Sequence, residues 1–266
     1  MNHRRVQRAL FSMLHDEHFA SALRRGEDWA REGLSEDEWR LLAAADPAAI
    51  TADRDGRRRT QAMGNVLKEF LLSASAADAA GRALGAGFLS SRGFHRAVRE
   101  DGSIPLAFLA FAEEQAREWG DDGVTTLLAV EGALARERRA RRARPTPGPR
   151  EIVLAPEAGT AVVPAGAAAF AESWRARLDG AELVPSPRPA GEETLLIVTR
   201  PTAGGFGAPE VTVETLGELA APLFRLAREP VGPQGRRRYA EERGATLDEL
   251  DAFLDDFVTE GVLLRG

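Results

Sequence analysis

TLLIVTR (194–200), EVTVE (210–214) and ATLDELDAFLDDFVTEGVLL (245–264) are the stretches whose reading decides the fold. The first is a run of strand-favouring residues, and the second alternates apolar and polar residues with period two. The Gly-rich TAGGFGAP (202–209) between them reads as a hairpin connection; no G-K-[ST] follows, so it is not a phosphate loop. Three helical segments come next. LGELAAPLFRLA (216–227) has leucines at helical spacing, with Pro222 implying a kink or a late start. GPQGRRRYAEERG (232–244) is short and polar. The third, 245–261, carries a T-x-x-E capping box at Thr246 and Glu249, acids in its first turns, and a stripe of Leu247, Leu250, Phe253, Leu254, Phe257 and Val258. Gly261 suits a left-handed C-cap and Val262–Leu264 a closing strand. Two strands, three helices and a strand make a winged-helix-like order.

Outward from this stretch, 266 residues with 44% apolar and 29% charged content describe a soluble chain of one large or two ordinary domains. Without cysteine there is neither disulfide, thiolate metal site nor cysteine nucleophile. MNHRRVQRALFSMLHDEH lacks the apolar core of a signal peptide, and no run is long enough to span a bilayer, so a cytoplasmic protein without membrane contact is expected. A net charge of −6 argues against wholesale nucleic-acid binding.

Residues 1–144 read as all-helical. Val6, Leu10, Met13 and Leu14 mark a first amphipathic helix; Asp16 caps a second, with Phe19 and Leu23 inward. Ser35 and Glu38 form another capping box, Asp46-Pro47 marks a break, and Ala48–Leu72 carries Met63, Val66, Leu67, Phe70 and Leu71 on one side. Helices opening at Ile104-Pro105 and at Asp121 or Asp122 follow. The last ends in RERRARRAR (136–144), then PTPGP, which gives an expected linker at 145–150. Beyond it lie strand candidates at 151–155 and 160–164, a helix at 167–178 with Phe170 and Trp174, and a Pro-rich connector at 182–193. The expected architecture is therefore α+β: a helical domain at 1–144 and a winged-helix-like domain at 151–266 with a small antiparallel sheet and three helices.

The order of the last third, with LxxLxxFLxxFxxxGVLL at its end, resembles the precursor-peptide recognition element of peptide-modification pathways, whose stand-alone form is the chaperone of pyrroloquinoline quinone biosynthesis. In that family a leader peptide lies as an added strand against the third strand, beside the third helix. The helical half, with DEHF (16–19), GLSEDEWRLLAAADPAAI (33–50), GFLSSRGF (87–94) and LLAVEGALARERRARR (127–142), is similar to the accessory partners of multinuclear non-haem iron-dependent oxidases in methanobactin-type and thiaglutamate-type pathways. Those partners join a helical domain to a recognition-element-like domain. The resemblance departs at 151–193, which does not align.

The candidate sites are few. His15 and His18, at i and i+3, have metal-ligand spacing, but only four histidines exist, so surface or capping roles are expected and no metal site. Glu131 sits on an apolar face, where an ion pair with the Arg57–Arg59 run is the expected role over general base. The serines lack any nucleophile context. No catalytic constellation emerges. The expectation is a non-enzymatic subunit, without cofactor of its own, that forms a heterodimer with an iron-dependent oxidase. It would bind the leader of a ribosomally made precursor peptide and present it for modification. The resemblance implies strand addition at 210–214, with Val211, Val213, Leu247, Asp251 and Leu254 as peptide-binding residues and Leu250, Phe253 and Phe257 in the core. Arg136, Arg139 and Arg142 are the expected oxidase-docking residues, although a charged helix end is as readily a solvated one. The rival is a DNA-binding winged-helix regulator with a helical sensor or dimerisation domain. Against it, the third helix presents Asp248, Asp251, Asp255 and Asp256, not base-reading groups.

Overall fold

A computed structural model describes residues 2–45, 56–100, 102–140, 142–182, 191–200 and 210–266, with main chain only at 56–59. The chain is α+β, and it divides into two compact units, residues 1–128 and 129–266.

Side-chain caps start most helices of the first unit. Asn2 accepts from Arg5 N–H at the head of α1 (His3–His15), and Asp16 accepts from His18 N–H at the head of α2 (Glu17–Arg25). After the short α3 (Asp28–Arg31), the expected Ser35–Glu38 capping box opens α4 (Glu36–Ala43). The Asp46-Pro47 break lies outside the described residues. The apolar stripe expected at 48–72 belongs to two helices, α5 (Gly56–Leu67) and α6 (Leu71–Ala79), with Phe70 buried between them and Leu71 exposed. Ser91 caps α7 (Arg92–Arg99) and Ser103 caps α8 (Ile104–Trp119), where Pro105 lacks only an N–H that would have no helical partner. Phe70, Phe88, Phe94 and Phe108, all essentially inaccessible, link these helices through ring contacts at 5.1–5.5 Å. Helix α9 (Asp122–Glu137) contains the division between the units, at Leu128 and Ala129.

The second unit holds two antiparallel sheets. Strands β2 (Ala158–Pro164), β3 (Glu192–Arg200) and β4 (Glu210–Leu216) form a sheet in the order β2-β3-β4. The closing strand β5 (Leu263–Arg265) pairs elsewhere, with β1 (Ile152–Leu154). One face of the larger sheet contributes Ala158, Leu196, Val198 and Leu216 to a core shared with α11 (Ala220–Leu226), α12 (Pro233–Glu241) and α13 (Leu247–Thr259). Pro222 lies within the first turns of α11, the late start expected of it. On the other face Leu195 and Ile197 are fully buried. Glu193, on their side of β3, accepts from Gly166 and Ala168 N–H and seats α10 (Ala167–Leu178) there, with Phe170 and Trp174 inward.

Residues 148–151, partly within the expected linker, are tied down. Arg150 N–H donates to Gly266 O, Gly148 N–H to the Glu151 carboxylate, and the Arg236 guanidinium to Arg150 O. The division between the units lies upstream of that linker, within α9 between Leu128 and Ala129.

Candidate functional site

Strand β4 lies at a rim of its sheet. Odd-numbered β3 residues turn their hydrogen bonds towards β2, since Thr199 N–H donates to Glu157 O and Ala165 N–H to Gly191 O. Even-numbered residues therefore bond β4, pairing with Glu210, Thr212, Glu214 and Leu216. Val211, Val213 and Thr215 consequently aim N–H and C=O away from the sheet, and no strand among the described residues meets them. All of β4 before Leu216 is exposed or half-exposed, so neither face of this rim is covered.

The side chains of Val211 and Val213 are placed differently from expectation. Paired residues share a face, so Val211 and Val213 lie with Thr199 and Ile197 on the α10 side, opposite the helices that include α13. Helix α13 also turns another flank to the core than expected. Leu254 is fully buried, while Leu250, Phe257 and Val258 pack partly against the core. Phe253, expected inside, is 46% exposed. Leu247 is half-buried, and the Asp251 carboxylate stands 2.8 Å from Arg236 Nε, a guanidinium almost wholly buried. The apolar stripe covers about half the helix circumference, and burial selects Leu254 as its centre.

A cavity of about 210 Å³ opens on the Phe253 flank, lined by Leu219, Leu223, Tyr239, Arg243, Leu250 and Phe253 among others. Its wall is mostly carbon. Tyr239 donates its hydroxyl to Leu219 O, and burial pushes that phenol above its usual range. The Arg243 guanidinium lies 3.7 Å over the Tyr239 ring. Glu249 accepts from the Thr246 N–H and hydroxyl, which hold its carboxyl below the ordinary range.

The arginine run is not a continuous helical face. Helix α9 stops at Glu137. Arg142, beyond its end, pairs with Glu137 at 2.6 Å and donates to Ala158 O, beside a cavity of about 480 Å³ that Arg228 also lines. Arg136 is exposed, and Arg139 donates to Ala135 O.

A third constellation was not foreseen. His95 Nε2 donates to Asp16 Oδ2 at 2.8 Å, with the two side chains 0% and 3% exposed. Asp16 also accepts from Ser90 Oγ and His18 N–H, and Phe19 stacks on the His95 ring at 4.5 Å. The DEHF and GFLSSRGF elements thus meet in one buried cluster. Burial opposes ionisation of Asp16, yet the His95 and backbone hydrogen bonds outweigh it and hold its carboxyl below the usual range. The serine bonds the carboxylate instead of the imidazole, so this is not a nucleophile–base arrangement.

Neither a scan against protein-family models nor a search of curated proteins finds a match. His15, expected as a surface or capping residue, is buried with its Nδ1–H on Phe11 O, whereas His18 is exposed. Among the described residues no group of three or more His, Asp or Glu has metal-site geometry, and no helix is long and apolar enough to cross a membrane. Glu131 is buried on α9; the side chains of Arg57–Arg59, its expected partners, lie outside the described residues.

Proposed function

We propose that this chain is a non-catalytic partner subunit. Its second unit binds the leader of a precursor peptide, and its helical unit holds an iron-dependent oxidase that modifies the peptide. The observation that carries this reading is the open rim at Val211, Val213 and Thr215, three residues whose main-chain groups point outward in the alternation an added strand needs. The element order and the resemblance of both halves to oxidase partners supply the rest. The chain contributes no chemistry in this reading. It raises the effective concentration of the modifiable end at the oxidase.

The DNA-binding rival loses support. The basic run GRRRY (235–239) on α12 has Arg236 buried against Asp251 and Arg238 paired with Glu242 at 3.0 Å, which leaves Arg237 as its one arginine in no ion pair among the described residues. The charged groups on the exposed face of α13 are all acidic, Asp248, Glu249, Asp255 and Asp256, which phosphates repel.

Two measurements test the proposal. Co-expression with an iron-dependent oxidase encoded beside this gene is expected to yield one complex on gel filtration; two separate peaks at micromolar concentration overturn the docking role. Val213→Pro removes an outward N–H and is expected to weaken leader binding about tenfold, the equivalent of a lost hydrogen bond with some local strain. Unchanged affinity in a calorimetric titration places the peptide elsewhere.

A further inference from the structure

Leu219 is 70% exposed and Phe253 46%, yet both line the same small cavity. Large apolar side chains left bare around a concavity mark a surface that another molecule covers. The two charges in the wall are engaged already, Arg243 over Tyr239 and near Glu242, Glu249 at its helix cap. A polar guest group would find little to bond there; an apolar one would displace water from carbon on most sides.

The place of the cavity relates it to the rim. Leu219 follows the end of β4 at Leu216 by three residues, at most about 10 Å of extended chain. A guest strand running past Leu216 therefore reaches the cavity within three or four residues. Beside it, 3.6 residues per turn put Glu249, Phe253 and Asp256 on one line along α13, within about 60° of each other, and Glu260, the helical C-cap residue, continues that line. Asp256 and Glu260 are exposed and enter no ion pair among the described residues, while neighbouring Asp255 is taken by Arg265.

We infer that this cavity is a second contact for the same guest peptide. It seats one bulky apolar side chain, three or four residues beyond the segment paired with β4, and Asp256 and Glu260 favour Lys or Arg beside that anchor. The inference rests on the strand-addition reading but makes a separate claim about which peptides are chosen. The charges act mainly through encounter and discrimination, so their effect fades with salt.

The test is a selection from a displayed library of random peptides against the full-length protein, followed by titration of the enriched sequence. A bulky apolar residue with Lys or Arg near it is expected to emerge. Phe253→Ala, at a half-exposed position, is expected to cost that peptide about tenfold in affinity, as removal of an aromatic anchor does, with the fold checked by an unchanged circular dichroism spectrum. Asp256→Lys with Glu260→Lys is expected to abolish the preference for a basic over an acidic flank at low salt. If binding falls with Val213→Pro but is indifferent to Phe253→Ala, the anchor is wrong and strand addition stands. If the reverse holds, the strand reading fails and the cavity stands alone. Enrichment of acidic flanks overturns the charge assignment, and absence of any enriched peptide overturns both readings.

Discussion

At Asp16, positions 74 and 79 residues away in sequence, Ser90 and His95, converge on one carboxylate. A buried, multiply bonded carboxylate with a depressed pKa favours the folded state in its ionised form. Its contribution is complete above the ordinary carboxylate value, near 3.9, and fades as pH falls through the lower folded value. Asp16→Asn is therefore expected to cost roughly 3 kcal/mol at neutral pH, as loss of one partner of a buried pair does, and to flatten the acid limb. Urea denaturation between neutral pH and pH 3 reads both effects. Gly85 makes a second expectation. It holds φ +86°, and a Cβ there would meet the Phe108 ring at 2.6 Å and Met63 at 2.9 Å. Gly85→Ala is expected to lower the stability of the helical unit by about 2 kcal/mol, combining left-handed strain with overpacking. In sequence Gly85 is no more than a glycine in an Ala- and Gly-rich stretch. What the sequence could not show was the ring waiting above it, because Phe108 lies 23 residues downstream on another helix. The pairing of Asp16 with His95 was hidden likewise. Asp16 reads as a helix cap, which it is, and nothing local distinguishes His95 from a surface histidine.

The elements themselves were largely readable. Both capping boxes, Ser35–Glu38 and Thr246–Glu249, form as the spacing implies, and β3 and β4 pair across the Gly-rich stretch. Thr246→Ala is expected to destabilise α13 by about 1 kcal/mol, seen as faster amide exchange in its first turn. How elements face one another was less readable. Alternation in EVTVE fixed that Val211 and Val213 share a face but not which one, because both layers packed on this sheet are apolar and the register with β3 alone decides which of them the valines face. On α13 the stripe of six apolar residues was right. Its centre was not: at 100° per residue Phe253 falls at one edge of that arc and Leu254 nearer its middle, and it is Leu254 that packs fully into the core. Helix α12 illustrates the converse: Arg236 looks like a surface cation, yet its buried pairing with Asp251 locks α12 to α13. Arg236→Ala is expected to cost more than Arg237→Ala by about 2 kcal/mol or more, because only the former leaves a carboxylate without its partner.

For the molecule as a whole, two units each with its own core imply nearly independent responses. The costs of Asp16→Asn and Thr246→Ala are expected to add within about 0.5 kcal/mol in the double variant, read by calorimetry. The Pro-rich stretch after the arginine run had every compositional mark of a boundary, but composition is local, whereas the division follows long-range backbone contacts and falls within α9. The bare rim has a practical consequence as well. Two copies of β4 laid edge to edge would bring Glu210 and Glu214 of each close together, and that repulsion discourages pairing at low ionic strength. Molar salt, with a screening length of about 3 Å, removes the deterrent. Concentrated stocks kept in high salt should then drift towards strand-linked dimers visible by light scattering, and Val213→Pro, which takes an outward N–H off the rim, should keep them apart.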